Sequence, residues 1–444
     1  MLITNKYKSN NKIKKNIIGQ INCIYKNEIS LEPVQILGES YEKNSDFDIL
    51  VDERIIKFTK IYKFSDFKEH KIEYHLYEAI NMKEMFKNVS SLISVEMISK
   101  TKASTISIIG AFENCINLES FKIEGFSFEQ SKSLERLFYN TKIKNVDLNI
   151  FQNFLFEDLS YMFALSQINT FNFSDINLLE IKNISHLFEN CSSLEKIEVS
   201  SNMILEKLED MSYMFRGCES LTSINLSNFK LTNNTKDISH LFQDCILLKF
   251  FDISNLNTIS VNNMSSMFEG CNSLDIIDIS NFDTSNVNNM ENMFKSCNSL
   301  IEIKIDKNKF KTNNVINMSK MFYNCRSLII APVDNFNTEN AQDISFMFAY
   351  CTSLKEINLI HFNTSNIKNM SHLFEDCSSL ISIDVSKFDT KNVLDISYLF
   401  ADLISLKNLY TLNFNTENVL NMSHLFDSCS SLDNLYLQNF ILKK

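Results

Sequence analysis

The phrase NMSSMFEGCNSL, beginning at Asn263, returns as NMENMFKSCNSL at Asn289, 26 residues later. The phenylalanine of this phrase marks the phase along the chain: Phe86, Phe112, Phe138, Phe163, Phe188, Phe215, Phe242, Phe268, Phe294, Phe322, Phe348, Phe374, Phe400 and Phe426. The intervals run 26, 26, 25, 25, 27, 27, 26, 26, 28, 26, 26, 26 and 26. A unit of about 26 residues is too small to bury its own apolar face, so neighbouring units must cover one another, and a period this regular predicts a solenoid.

Each unit divides into two pieces. Met290, Met293, Phe294 and Cys297 stand at offsets 0, 3, 4 and 7, the spacing of one helix face, which predicts a short helix of about two turns. Asn289, or Asn263, Asn317, Asp343, Asn369, Asp395 and Asn421 in other units, precedes that run as a cap for free backbone N–H groups. Leu300, Ile303 and Ile305 then alternate as a short strand requires. A polar corner such as SNFDTSNV (Ser280 to Val287) follows, with Phe282 directed inward. A second phenylalanine column occupies these corners: Phe126, Phe229, Phe282, Phe310, Phe336, Phe362, Phe388, Phe414 and Phe440. The two columns, with Phe268, Phe294 and Phe282 at their centre, account for the aromatic excess as core. The expected fold is an α/β repeat solenoid of about fourteen rungs, a short strand plus a short helix in each.

Ten of the 11 cysteines fall three residues after a marker: Cys115, Cys191, Cys218, Cys245, Cys271, Cys297, Cys325, Cys351, Cys377 and Cys429, with Cys23 outside the pattern. No CxxC occurs, and one sulfur per turn gives neither paired nor fourfold convergence, so they read as buried thiols of the core and not as disulfides or metal ligands. Only 6 glycines and 2 prolines interrupt the chain, which leaves little material for a phosphate-cradling loop. P-loop, GxSxG and HExxH signatures are missing from the sequence, so no enzyme or cofactor is expected. A net charge of −11 argues against nucleic acid as a partner. The exception to that charge is a lysine cluster at Lys6, Lys8, Lys12, Lys14 and Lys15, read as a solvated end.

The full phrase from Phe268 to Phe294, F-x-x-C-x-S-L-x-x-I-x-I-S-N-F-D-T-S-N-V-x-N-M-x-x-M-F, resembles the repeat of BspA-like leucine-rich-repeat proteins, and IIGAFENCINLESFKI (Ile108 to Ile123) is similar to the family's more general form. The resemblance covers about residues 77–444. It implies a right-handed leucine-rich-repeat coil that binds proteins, and in many members a secreted or surface adhesin. Residues 1–76 lack the period. Their alternating stretches INCIY, PVQIL, FDILV and KIEYHLY predict a small antiparallel β domain that caps the first rung. At the other end Leu435, Leu437 and Phe440 would lie near an open rung that invites self-association or is blunted by Lys443 and Lys444.

Function in a solenoid falls to outward columns. The strand position between the inward residues reads Glu198, Asn225, Asp252, Asp278, Lys304, Pro332, Asn358, Asp384, Tyr410 and Tyr436, either a contact strip or mere solvation of the sheet. Two residues before each marker stand Tyr161, His186, Tyr213 and His240, then Phe346, His372, Tyr398 and His424. These form either interface aromatics or rung-to-rung stacks. No apolar run of about 18 residues and no secretory leader is apparent, so the expectation is an intracellular, cytoplasmic interaction scaffold with an unidentified protein partner. The alternative is a surface adhesin exported unconventionally.

Overall fold

The structure is a computed structural model that describes residues 15–26, 32–199, 203–433, 435 and 440. Two compact units divide the chain, Met1–Lys132 and Ser133–Lys444. The repeats form a β-solenoid of about 13 turns, not 14 rungs, because fourteen markers delimit thirteen complete windings.

In the first unit a six-stranded sheet runs in the order Ser120–Glu124, Leu92–Ile98, Gly19–Lys26, Glu69–Leu76, Phe47–Val51, Arg54–Ile56. The alternating stretches INCIY, FDILV and KIEYHLY fall on three of these strands, and PVQIL contains the short strand Val34–Gln35. Gly19–Lys26 pairs antiparallel with Glu69–Leu76 on one side and with Leu92–Ile98 on the other. Leu92–Ile98, which follows the first marker, in turn pairs parallel with Ser120–Glu124.

In the second unit most turns carry a three-residue strand paired parallel with that of a neighbouring turn, as Ile276–Asp278 pairs with Glu302–Lys304 and Ser382–Asp384 with Asn408–Tyr410, and a single bridge, Ile330↔Glu356, links two turns that lie between these pairs. A second ladder of single bridges runs from Ser133↔Asp158 to Asp395↔Asn421 through the capping positions. Asn289 Oδ1 accepts the Glu291 amide at 3.0 Å and Asp343 Oδ1 the Ser345 amide at 2.8 Å, so these residues do cap, but they cap a turn.

The helix expected after them does not form. Amides of Met290, Asn292, Phe294 and Ser296 donate across to Asn317, Ser319, Met321 and Tyr323 in the next turn at 2.8–3.0 Å. Those of Met293, Lys295 and Cys297 close local turns on Met290, Asn292 and Phe294. Asn292 and Ser296 take φ of 57° and 59°, and equivalent residues repeat this in every turn of the unit. A residue at positive φ every fourth position cannot continue a right-handed helix, whereas it turns alternate N–H groups outward to the neighbouring winding. Offsets 0, 3, 4 and 7 still place Met290, Met293, Phe294 and Cys297 inside, because successive tight turns of four residues share that spacing with a helix.

The interior is layered. Rings of the marker column lie nearly parallel: Phe268 and Phe294 are 5.8 Å apart at 3°, and Phe294 and Phe322 5.6 Å at 7°. Phe282 is buried at the corner, and Phe310 stacks on Phe336 at 5.8 Å. The corner phrase is a mortar of polar side chains. Thr338 Oγ donates to Asn363 O of the next turn at 2.8 Å, and Asn340 Nδ2 donates to Asn313 O of the preceding one at 2.7 Å. Equivalent bonds recur at Thr312, Thr364 and Thr390 and at Asn314, Asn366 and Asn392. Buried backbone that no strand satisfies is thereby paired.

Candidate interaction surface

The cysteines are all free, and every one except the half-buried Cys429 is buried. Each repeat thiol donates to the carbonyl of the marker phenylalanine one turn before its own: Cys191 to Phe163 O, Cys218 to Phe188 O, Cys245 to Phe215 O, Cys271 to Phe242 O, Cys297 to Phe268 O, Cys325 to Phe294 O, Cys351 to Phe322 O and Cys377 to Phe348 O, at 2.9–3.3 Å. Burial pushes the thiols of Cys191 and Cys351 up to about 12 and holds those of Cys218, Cys271, Cys325 and Cys377 well above the ordinary thiol range. They stay protonated and serve as donors, which makes this column architectural.

The aromatic column forms two stacks. Tyr161, His186, Tyr213 and His240 lie face to face at centroid separations of 4.2, 4.4 and 4.1 Å. Phe346, His372, Tyr398 and His424 follow at 4.1, 4.6 and 4.5 Å. A cation closes one end of each stack: the Arg136 guanidinium lies 4.5 Å from the Tyr161 centroid and Lys320 Nζ 5.6 Å from that of Phe346. Every one of these ring-bearing residues sits at positive φ, from 55° to 59°. That backbone directs the ring along the stack, and bulky residues hold it because their faces are covered by their neighbours. His186 and His372 also share Nδ1 with Glu189 and Glu375 at 2.8 Å. Ring edges and the half-exposed His424 are what remain available to another molecule.

On the strand column, Asp278 and Asp384 are exposed and Asp252 is half-buried. Their Oδ1 atoms accept the amides of Ser280, Ser386 and Ser254 at 2.9–3.1 Å, ending each strand in a tight turn. Serine hydrogen bonding lowers the Asp278 and Asp384 carboxyls. Tyr410 is exposed beside Asp384, and Tyr436 lies outside the described residues, as does Leu437. The structure adds residues the sequence reading passed over. Phe250 and Ile276 occupy the other outward strand position, two residues before Asp252 and Asp278, Ile330 stands likewise two residues before Pro332 at a single bridge, and Ile301 and Ile329 come one residue earlier in their turns. All five are exposed. Their signal in the sequence is an apolar residue in a column where Ser, Glu or Lys stands in other turns.

Near Leu148 and Phe171 a depression of about 220 Å³ contains Asp175, whose carboxyl is raised by burial first and then by Asp147 and Glu198. Among the described residues, no three His, Cys, Asp or Glu side chains converge to hold a metal ion, and no helix is long and apolar enough to cross a membrane.

This winding matches that of a leucine-rich repeat protein from Bacteroides ovatus ATCC 8483, with a TM-score of 0.50 and 20% identity over 88% of this chain and 93% of that one. A leucine-rich repeat protein from Eubacterium ventriosum ATCC 27560 is also similar, with a TM-score of 0.34 and 16% identity over 78% and 92%. The first of these likenesses shows the fold of the leucine-rich repeat solenoids. Residues 57–172, 157–249, 209–329, 236–357 and 326–440 match the family described as "Mycoplasma protein of unknown function, DUF285", and the chain belongs to that family. No curated protein matches it.

Proposed function

We propose that the chain is a non-catalytic scaffold of the BspA-like leucine-rich-repeat type that binds a protein partner on the outward face of its strand column. The observation that carries this reading is the set of exposed apolar side chains on four successive turns, Phe250 at 66%, Ile276 at 43% and Ile330 at 53% exposure in one outward column, with Ile301 at 47% beside Glu302 in the turn between. Apolar side chains of this kind, with Glu302 in their column and Asp252, Asp278 and Lys304 beside it, have the composition of an interface core with a polar edge. Asp384 and Tyr410 stand further along the same column as Asp252 and Asp278, and Phe346, His372, Tyr398 and His424 stack rigidly from turn to turn. Residues 1–76 act as the cap of the repeats from residue 77 onward, since Gly19–Lys26 covers the edge of the first repeat strand with antiparallel hydrogen bonds.

The test is affinity capture with the full chain and with the triple variant Phe250→Ser/Ile276→Ser/Ile330→Ser. The variant should retain its melting temperature and bind the captured protein at least about tenfold more weakly, as loss of an interface centre requires. An equal yield of the same proteins from both baits refutes the reading.

A further inference from the structure

A second surface lies in the first unit and has a different chemistry. After the tight hairpin at Asp52 and Glu53, whose φ values are 48° and 61°, the chain enters Arg54–Ile56, the edge strand of the six-stranded sheet, and continues as KFTKIYKFSDFK from Lys57 to Lys68. Four large apolar side chains in this stretch face solvent: Ile55 at 65%, Phe58 at 38%, Ile61 at 57% and Phe67 at 54% exposure. One exposed apolar residue is ordinary, but four within thirteen positions concentrate solvent-facing apolar surface in one short segment. Cations stand between them. Residues 54–68 contain Arg54, Lys57, Lys60, Lys63 and Lys68 against a single carboxylate, Asp66, whose Oδ1 is 3.1 Å from His70 Nε2. Lys43 adds its ammonium 5.9 Å from the Phe58 ring. Further carboxylates, Asp52, Glu53 and Glu69, stand at the margins of the segment. In a chain of net charge −11, this local excess of positive charge runs against the whole.

We infer that the segment Arg54–Lys68 docks on an anionic lipid surface. An acidic protein would meet the cations but leave the phenylalanine and isoleucine tips without a counterpart, whereas a bilayer interface supplies both. Apolar tips enter the boundary between headgroups and acyl chains while lysine stems lie along it with their ammonium groups among the phosphates. The attachment is peripheral and reversible, because four short side chains bury little and no lipid chain is involved.

The chain contains no tryptophan, so Phe67→Trp places a single emission probe in the patch. The full chain is floated with vesicles of phosphatidylcholine alone and of phosphatidylcholine with phosphatidylglycerol. Binding is expected on the anionic vesicles only, weakening as salt rises, with a blue shift of the Phe67→Trp emission. Lys57→Ala/Lys63→Ala should lower partitioning roughly 25-fold, about fivefold for each cation. Failure of the wild-type chain to float on anionic vesicles overturns the inference. So does unchanged partitioning of the lysine variant, or an unshifted emission in a folded Phe67→Trp chain. An equal blue shift with polyglutamate in place of vesicles would assign the patch to an acidic protein and overturn it as well.

Discussion

Replacing Gly270 by alanine separates the turn-built repeat from the helix its spacing imitates. In a helix interior, glycine to alanine gains about 1 kcal/mol, because alanine loses less backbone freedom on folding. Gly270 instead sits at φ of 73°, in the column that Asp244, Ser296 and Asn324 fill in nearby turns. Alanine there costs roughly 1–2 kcal/mol in left-handed backbone energy. The added Cβ also meets Asp244 Oδ1 well inside van der Waals contact and lies 3.4 Å from the Asp244 Cα, so the carboxylate must move aside. The Gly270 amide donates to Lys295 O at 2.8 Å, and a shift of the backbone to relieve that contact would strain this bond to the next turn. The net expectation is a loss of about 1.5–3 kcal/mol, opposite in sign to the helix case. Urea unfolding followed by circular dichroism measures it, with Asp244→Gly/Gly270→Ala as the variant that removes the clash and leaves only the backbone term. A Gly270→Ala chain as stable as the wild type, or more so, would refute the account of the repeat as consecutive left-handed turns.

Two further outcomes follow from the layered core. Phe294, sandwiched between Phe268 and Phe322, should cost about 3–5 kcal/mol as alanine, whereas the half-buried Phe426 should cost about half of that; equal losses in denaturant titrations would contradict stability by nearest-neighbour stacking. Buried thiols have folded pKa values raised above those of the unfolded chain, so their contribution is fully present below about pH 8.5 and is lost as pH rises toward 12. Melting temperature should therefore fall above that pH, and Cys191→Ala/Cys351→Ala should flatten the fall; a flat profile for the wild type, or rapid alkylation of these thiols in the native chain, would count against the buried thiol ladder.

Much of this architecture was legible in the residue order. A period near 26 demanded stacking, the marker and corner phenylalanines announced two interior columns, and cysteines confined to one phase argued against a disulfide framework. Each is a statement about which side chains avoid water, and periodicity reports that directly. The helix was misread because Met290, Met293, Phe294 and Cys297 bury the same atoms whether the backbone coils or turns. The distinguishing sign was present in Asn88, Asn114, Asn140, Asn190, Gly217 and Gly270, the residue types that tolerate positive φ, recurring two places after the marker.

What the sequence determined alone is the identity of the layers, since burial follows composition and spacing. Where the hydrogen bonds go, and hence which polar side chains remain to meet another molecule, was decided by the tertiary structure. Asp278 looks like a free charge in the sequence, but its Oδ1 is held by Ser280, and Phe250 and Ile330, unremarkable in their columns, are left in solvent. That difference arises because a side chain's availability depends on partners a whole winding or a tight turn away, which the order of residues does not specify.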